Sequence, residues 1–390
     1  MNIATKKKIV MLGMMTKIPV AGAVWGAMQY LIGFQRLGFD VYYVEAHART
    51  PSMLMTSAKD NSSELAAAYI GNVMRQFDLN GHWAFHALHV DGRCYGMTHL
   101  ELQQLYRDAA LIINYHGGTV PLPEHSATGR LIYLETDPVE LEIELFHNDP
   151  KAIAFLEPHQ AFFTWGLNYY QPDCKVPMPE RFRFQVSPPA VVPDLWQLSE
   201  RGAAERFTTI GNWRQPGEVR YLGETYSWSK HHEFLKFIDL PRRTSQPFEL
   251  GLSSYNADDQ QLLESNGWHI RPALGFSKEL NSYRQYIVDS RGEFTVAKDQ
   301  NVRLRSGWFS ERSAQYLAAG RPVITQDTGF GSVLPRGRGL FSFATMEELL
   351  GAVENINSDY NGHCRAASQL ADEYFHYEIV LGKMLEKMGL

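Results

Sequence analysis

Short runs of apolar, often β-branched residues recur along the chain, and most of them are followed by a glycine-containing or polar loop. Such runs are typical of strands that are buried on both faces of a parallel sheet. In the first half of the chain they predict strands at residues 9–12, 41–44, 110–114, 131–134, 161–166 and 181–186. In the second half they predict strands at residues 207–214, 248–252, 268–271, 294–297, 322–325 and 339–343.

Stretches of helix-forming composition lie between these runs. They predict helices at residues 25–37, 63–76, 100–107, 139–146, 231–237, 257–265, 278–290, 310–319, 345–356 and 364–388. Strand and helix therefore alternate, which favours an α/β fold with parallel sheets. The chain of 390 residues is long enough for two such domains, and a proline-rich segment marks the expected boundary near Pro193.

Composition and charge narrow the classes of function. The net charge of −6 provides no overall basic field, so nucleic acid is not an expected partner. No apolar stretch reaches the roughly eighteen residues that a membrane-spanning helix needs. Cys94, Cys174 and Cys364 are widely separated and fit no metal-ligand spacing. We interpret them as buried thiols and expect a cytoplasmic protein.

Two loops of the first half are candidates for ligand binding because each follows a predicted strand, the side on which open α/β sheets bind ligands. The loop that begins at Gly13 lacks the dinucleotide fingerprint, so we expect it to contact a donor or acceptor across a cleft. His116 ends another strand, and the two glycines after it allow the backbone to approach a ligand closely. The alternative is that His116 only satisfies a strand-end carbonyl.

Glu135 and Asp137 follow the strand at residues 131–134. Neighbouring carboxylates raise each other's pKa, so these side chains are candidates for a general base or for holding sugar hydroxyls. Asp137 also precedes Pro138 at the start of a predicted helix, which is the pattern of an N-cap. Glu135 has no competing capping role, so it is the better candidate for catalysis or sugar binding.

The segment at residues 292–331 reads as strand, basic loop, helix and strand. Ser310 stands at the expected N-cap of the helix, where free backbone N–H groups lie beside Arg303, Arg305 and Arg312. A helix N-terminus with neighbouring arginines is a natural anion site. The alternative is an ordinary strand–helix–strand unit whose arginines are solvated.

Residues 312–324, with the sequence RSAQYLAAGRPVI, resemble the E-A-x-A-x-G-x-P-V-I helix and strand at the donor site of GT-B glycosyltransferases. The resemblance implies two Rossmann-like domains whose parallel sheets face each other across a cleft. It assigns residues 1–193 to an acceptor-side domain, residues 194–363 to a nucleotide-sugar donor domain, and residues 364–390 to a helix that crosses back. The two glutamates of the retaining families are absent, since Gln315 and Gly307 stand at their positions.

The same resemblance implies which residues contact the donor. Arg214 and Lys230 are expected to hold its diphosphate, and His116 is expected to face its sugar. The donor-side residues implied are Gly13, Arg214, Lys230, Lys298, Ser310, Arg312, Ser313, Gln315, Gly329 and Gly331. The sequence contains no Asp-x-Asp motif, so no metal or other cofactor is expected beside the nucleotide-sugar co-substrate.

The sequence thus predicts a glycosyltransferase that acts on a nucleotide-diphosphate sugar and on a small-molecule, glycan or natural-product acceptor. A sugar-nucleotide epimerase of the same fold is the alternative enzyme class. A catalytically inactive nucleotide-sugar-binding protein is the third reading, because both family glutamates are missing. The donor base and sugar, the stereochemical outcome and the oligomeric state stay open.

Overall fold

Two separate sheets organise the chain in the computed structural model, which describes residues 6–197 and 205–390. The first sheet has eight strands in the order β4-β3-β2-β1-β5-β6-β7-β8, and among them β4 alone is antiparallel to its neighbour. Its strands are β1 Lys8–Leu12, β2 Asp40–Glu45, β3 Trp83–His86, β4 Cys94–Tyr95, β5 Ala109–Tyr115, β6 Leu131–Glu135, β7 Ala161–Thr164 and β8 Phe184–Val186.

The second sheet contains six strands, all parallel, in the order β13-β12-β9-β14-β15-β16. Its strands are β9 Phe207–Asn212, β12 Phe248–Ser253, β13 His269–Pro272, β14 Gly292–Thr295, β15 Val323–Gln326 and β16 Leu340–Phe343. A separate hairpin is formed by β10 Glu218–Tyr221 and β11 Glu224–Ser227. The predicted architecture of two doubly wound α/β sheets is confirmed.

Helices cover both sheets. They are α1 Ala21–Arg36, α2 Ser62–Gln76, α3 His99–Asp108, α4 Pro123–Ser126, α5 Glu140–Phe146, α6 Pro150–Leu156, α7 His231–Leu235, α8 Leu240–Arg243, α9 Ala257–Ser265, α10 Leu280–Val288, α11 Asp299–Arg303, α12 Glu311–Ala318, α13 Met346–Ser358, α14 Tyr360–Leu370 and α15 Tyr377–Lys387. Among the described residues, no helix is long and apolar enough to cross a membrane.

Two helices differ most from their predicted extents. α1 begins at Ala21, four residues before the predicted start, because the Ala21 N–H donates to the Ser277 carbonyl (2.6 Å) and so fixes the first turn against the other sheet's domain. The predicted closing helix is interrupted by a π-helical turn at Ala371–Phe375 and by His376, whose backbone is extended. α14 therefore packs on α12, whereas α15 packs on α1.

A continuous apolar core connects the two sheets along one side. The Trp25 indole of α1 donates a hydrogen bond to the Leu280 carbonyl of α10 (3.1 Å), and its ring lies 5.2 Å from that of Trp196. Phe309 stacks on Phe375 with 5.2 Å between ring centroids. These contacts hold the two sheets with their carboxyl edges facing each other. We propose Pro193 as the domain limit, between the last strand of one sheet and the first of the other.

Gly307 lies where the two halves of the chain approach each other closely. Its φ is 82°, and a Cβ atom built on it would collide with the backbone nitrogen of Asn168. The Asn168 side chain donates to the Arg305 carbonyl (3.0 Å), so the approach cannot widen without breaking a hydrogen bond. Only glycine fits this position.

Gly307→Ala should therefore lower the free energy of unfolding by about 2–3 kcal/mol, through the positive φ and the backbone collision together. Gly351→Ala is the matched control, since Gly351 is exposed inside α13 and a Cβ there meets no atom within 4 Å. That control should gain about 0.5–1 kcal/mol from better helix propensity. Urea unfolding measures both, and equal stability of the two variants would contradict the close approach at Gly307.

Candidate active site

A cleft of about 1390 Å³ lies between the carboxyl edges of the two sheets. Loops after β1, β5 and β6 form one wall, and the ends of β9 and β12 together with the start of α12 form the other. The sequence-predicted site residues that line it are Gly13, His116, Glu135, Asp137 and Arg312. The strand-end rule therefore brings residues from both halves of the chain to one place.

The Gly13 loop is fixed by a buried hydrogen-bond network that the sequence did not reveal. The Tyr43 hydroxyl accepts a hydrogen bond from the Met15 N–H (2.9 Å) and donates one to the Glu45 carboxylate (2.6 Å). Glu45 also accepts hydrogen bonds from the backbone N–H (2.9 Å) and the hydroxyl of Thr16. A side chain at position 13 would overlap the Tyr43 ring, so glycine is required there.

His116 lies at the end of β5 in the left-handed region, with φ of 61°. Non-glycine residues in this conformation are strained and concentrate at functional sites. Its Nδ1 forms a hydrogen bond with the Thr136 hydroxyl, and not with a strand-end carbonyl as the alternative interpretation required. Burial lowers the pKa of His116 to about 3, so the imidazole is neutral near pH 7.

Glu135 is buried beneath the cleft, and its Oε2 accepts a hydrogen bond from the Thr164 hydroxyl (2.6 Å). Burial, and then the nearby Glu142 carboxyl, raise the pKa of Glu135 well above its usual value. Burial also raises the pKa of Glu142. Because two buried carboxyls at short range disfavour each other's ionisation, burial and this pairing favour the protonated form of Glu135. The expected influence of Asp137 is the smallest of the effects on Glu135.

Asp137 forms a salt bridge with Lys298 that spans the cleft. The Lys298 ammonium also lies 3.5 Å from the centroid of the Trp228 ring, which lines the same cleft. The predicted N-cap role of Asp137 is wrong, because Val139 occupies the N-cap position of α5 and its N–H is bound by Glu142 (2.9 Å). The carboxylate of Asp137 therefore serves the pair with Lys298 and not a helix cap.

Lys230 is half-buried at the start of α7, and its ammonium lies 4.8 Å from the centroid of the Trp308 ring. No carboxylate among residues 6–197 and 205–390 forms an ion pair with it. Burial lowers the pKa of Lys230 to about 7, and the positive charges of Arg312 and Lys298 act in the same direction. An ammonium without a counter-ion, placed among other cations, is prepared for an anionic ligand.

Arg312 is fixed by its own domain although it lines the cleft. Its Nε donates to Glu293 (2.6 Å), and its other nitrogens donate to the Ile210 carbonyl (2.6 Å) and the Thr295 hydroxyl (3.1 Å). Burial acts to lower the pKa of Arg312, but Glu293, Tyr283 and Glu311 together raise it. The Ser313 hydroxyl donates a hydrogen bond to the same Glu293 carboxylate and so helps to hold the Arg312–Glu293 pair.

The start of α12 confirms the predicted cap and adds a residue that sequence reasoning missed. The Ser310 hydroxyl accepts a hydrogen bond from the Arg312 N–H (3.2 Å). Glu311, the next residue, lines the cleft, and burial raises the pKa of its carboxyl. Its position directly after an N-cap at the cleft was the only signal in the sequence.

Gln315 lies one helical turn beyond Glu311 and is buried. Its Oε1 accepts a hydrogen bond from the Tyr283 hydroxyl (3.3 Å), and Tyr283 lines the cleft. The Gln315 Nε2 is buried and finds no hydrogen-bond partner within the described ranges. A buried amide N–H without a partner beside a cleft is a position where a ligand oxygen fits.

Eight of the ten expected donor residues lie outside the cleft lining. They are Arg214, Lys230, Lys298, Ser310, Ser313, Gln315, Gly329 and Gly331. Arg214 is half-exposed and forms two hydrogen bonds with Asp259, at 2.6 and 2.9 Å. Gly329, with φ of 96°, lies against the Asn168 side chain. Gly331 lies beside the Arg336 side chain.

Two arginines of the basic loop before α12 are paired with carboxylates of the chain. Arg303 pairs with Glu224 (2.8 Å) and Asp299 (3.3 Å). Arg305 pairs with Asp173 (2.6 Å) and Asp327 (3.2 Å). Carboxylates of the chain thus pair with both arginines, and their contribution to an anion site stays a prediction.

Solved structures share this architecture. No protein-family model matches the chain, and no curated protein matches it in sequence. The fold is similar to that of Anabaena HepE in complex with UDP (TM-score 0.55, 13% identity, covering 98% of this chain and 99% of that one). It is also similar to an α-glucosyltransferase in complex with UDP and a 13-mer DNA (TM-score 0.58, 10% identity, 99% and 100% covered).

A third similar structure is the trehalose-6-phosphate synthase OtsA (TM-score 0.54, 10% identity, 98% and 99% covered). Each likeness spans nearly the whole of both chains, so it concerns both sheets and not one nucleotide-binding unit alone. The chain therefore has the GT-B fold that the donor-helix resemblance implied, with two Rossmann-like sheets facing across a cleft.

Proposed function

We propose that the protein is a glycosyltransferase that transfers a sugar from a nucleotide-diphosphate sugar to an acceptor bound in the same cleft. The observation that carries the proposal is Lys230, a half-buried ammonium that has no carboxylate partner among the described residues and lies beside Arg312 and Lys298. Holding such a charge out of water is unfavourable unless a ligand compensates it. A diphosphate bound in the cleft beside Trp308 and Arg312 would match that charge.

The reaction needs positive charge at this point. Breaking the anomeric bond leaves negative charge on the diphosphate, and fixed cations and N–H groups stabilise it as it develops. Lys230 and Arg312 supply cationic groups, and the first turn of α12 supplies backbone N–H groups. These groups carry the charge that a metal ion would otherwise supply, so we propose a metal-independent transfer.

The opposite wall supplies groups for the sugar and the acceptor. The neutral His116 imidazole offers a hydrogen bond to a sugar hydroxyl, and the Asp137 carboxylate offers an acceptor for the proton of the attacking group. Glu135, whose protonated form is favoured by burial and by Glu142, supports this loop from below. We assign Asp137 as the base and His116 as the sugar-binding residue.

UDP is the nucleotide to test first. HepE was solved with UDP, with UDP and glucose, and with UDP-glucose, and the α-glucosyltransferase was solved with UDP-glucose and DNA. These are complexes of other proteins. They support UDP-sugars as the first donors to screen for this chain. The screen should include GDP- and dTDP-sugars, because the residues that would recognise the base differ at this level of identity.

A sugar-nucleotide epimerase is the second candidate, favoured by two carboxyls of raised pKa in the cleft lining, Glu135 and Glu311. Groups of that kind suit proton transfer at a sugar carbon. The products separate the possibilities. Slow hydrolysis of the donor supports transfer, a changed sugar ring supports epimerisation, and thermal stabilisation without turnover supports a binding protein.

Lys230→Met should weaken UDP binding by about 1.5–3 kcal/mol, the usual value of a charge-assisted contact. Its melting temperature should not fall, because the substitution removes a desolvated charge. Arg214→Ala is the matched control, since Arg214 is paired with Asp259 outside the cleft. Calorimetry should find the UDP affinity of that control within about twofold of wild type. Loss of affinity in the Arg214 variant alone would move the diphosphate site to the end of β9.

Gln315→Ala should raise the dissociation constant for UDP about tenfold, because the unpartnered Nε2 is available to a ribose hydroxyl. Gln326 is a suitable control, since it is equally buried but its amide bonds to Glu233 (2.6 Å) and Ala297 (3.2 Å). Gln326→Ala should lower the melting temperature and leave UDP affinity unchanged. If Gln315→Ala behaves in the same way, Gln315 belongs to the core and not to the site.

A further inference from the structure

Three potential metal ligands converge at the edge of the first sheet. They are His86, Cys94 and His99, and one nitrogen or sulfur atom of each lies within 4.8 Å of the other two. Among the described residues no other group of three or more His, Cys, Asp or Glu side chains converges in this way. Their spacing in the sequence matches no metal-binding motif, so only the fold brings them together.

Secondary structure fixes each of the three. His86 and Cys94 are directly opposite each other in the antiparallel pairing of β3 with β4. His99 is the first residue of α3, and the start of that helix is held by a capping box between Thr98 and Glu101. The three ligands therefore belong to two strands and one helix end, and not to a loop of arbitrary conformation.

The geometry suits a tetrahedral ion with sulfur and nitrogen ligands. The Cys94 Sγ lies 3.5 Å from the His99 Nδ1. Zinc bonds of about 2.3 Å to sulfur and about 2.0–2.1 Å to nitrogen place two tetrahedral ligands about 3.5 Å apart. His86 approaches the same point from the other strand, with 5.3 Å between its ring centroid and that of His99.

A neighbouring group orients the exposed ligand. The His99 Nε2 lies 3.0 Å from the side-chain amide of Gln103, one turn along α3. Metal binding by Nδ1 leaves the proton on Nε2, and the Gln103 amide, turned so that its oxygen faces the ring, would accept that N–H, as the partners of ligating histidines usually do. His86 is buried, Cys94 is half-buried and His99 is exposed, so the fourth position of a tetrahedral ion opens to solvent.

We propose that His86, Cys94 and His99 form a zinc site with three protein ligands and a fourth position open to water. One thiolate and two imidazoles favour Zn²⁺ over Mg²⁺ or Ca²⁺, which prefer oxygen ligands. The ion would join β4, an edge strand of only two residues, to β3 and to the start of α3. The site contains no residue of the cleft lining, and it stands or falls independently of the proposed glycosyl transfer.

The test is metal binding by the full chain after treatment with a chelator. Native mass spectrometry with added Zn²⁺ should show one ion per chain, and Zn²⁺ should raise the melting temperature by several degrees. Co²⁺ should give the near-ultraviolet charge-transfer band of a cobalt–thiolate bond. Cys94→Ser should abolish this band and lower Zn²⁺ affinity about 100-fold or more.

Two further variants keep the outcome clear. His99→Ala changes an exposed side chain, so it should fold normally and still lose Zn²⁺ affinity. Cys174→Ser removes another half-buried free cysteine and should bind like wild type. Wild-type protein that binds no Zn²⁺, or Zn²⁺ binding that survives in both Cys94→Ser and His99→Ala, would overturn the site and leave Cys94 and His99 as a hydrogen-bonded pair only.

Discussion

The apolar interface between the two sheets sets the distance at which their carboxyl edges face each other. It forms where α1 packs on α10 and α15, and Trp25 fixes it with a hydrogen bond to the backbone of α10. On the open side, the Asp137–Lys298 pair and the hydrogen bond from the Trp308 indole to the Thr136 carbonyl (3.1 Å) join the two walls of the cleft. These two contacts depend on this spacing, because each wall supplies one partner of each.

The cations at the cleft are of two kinds, those paired with a carboxylate and those without such a partner. Arg312 and Lys298 are compensated by Glu293 and Asp137, so they contribute to the field of the cleft without destabilising the protein. Lys230 has no such partner in the described part of the chain, and burial lowers its pKa. An anion that enters beside Lys230 therefore regains the stabilisation that folding gave up there. Groups of this kind, whose ionisation is unfavourable in the free protein, mark functional sites more often than compensated pairs do.

The sequence predicted most of the fold, because long apolar runs and helix-forming stretches leave clear patterns. It missed β3 and the β10–β11 hairpin, which are four-residue strands too short to show a period. At the site, the strand-end rule found His116, Glu135 and Asp137. The donor-helix resemblance gave chain positions but not side-chain directions, so it did not reveal that Arg214 pairs with Asp259. Asp137 pairs with Lys298 and His86 with Cys94 only in the folded chain, so the sequence pattern does not reveal these pairings.

Protonation of Lys230 on donor binding is the most direct test of the account. With a pKa of about 7, Lys230 is mostly neutral at pH 8 in the free protein, and a bound diphosphate raises that pKa. Calorimetry of UDP binding at pH 8, in two buffers that differ in ionisation enthalpy, should therefore detect uptake of most of one proton. Lys230→Arg keeps the charge but cannot deprotonate, so it should bind UDP without uptake. Equal uptake by both proteins, or none by wild type, would contradict the assignment of Lys230 to the diphosphate.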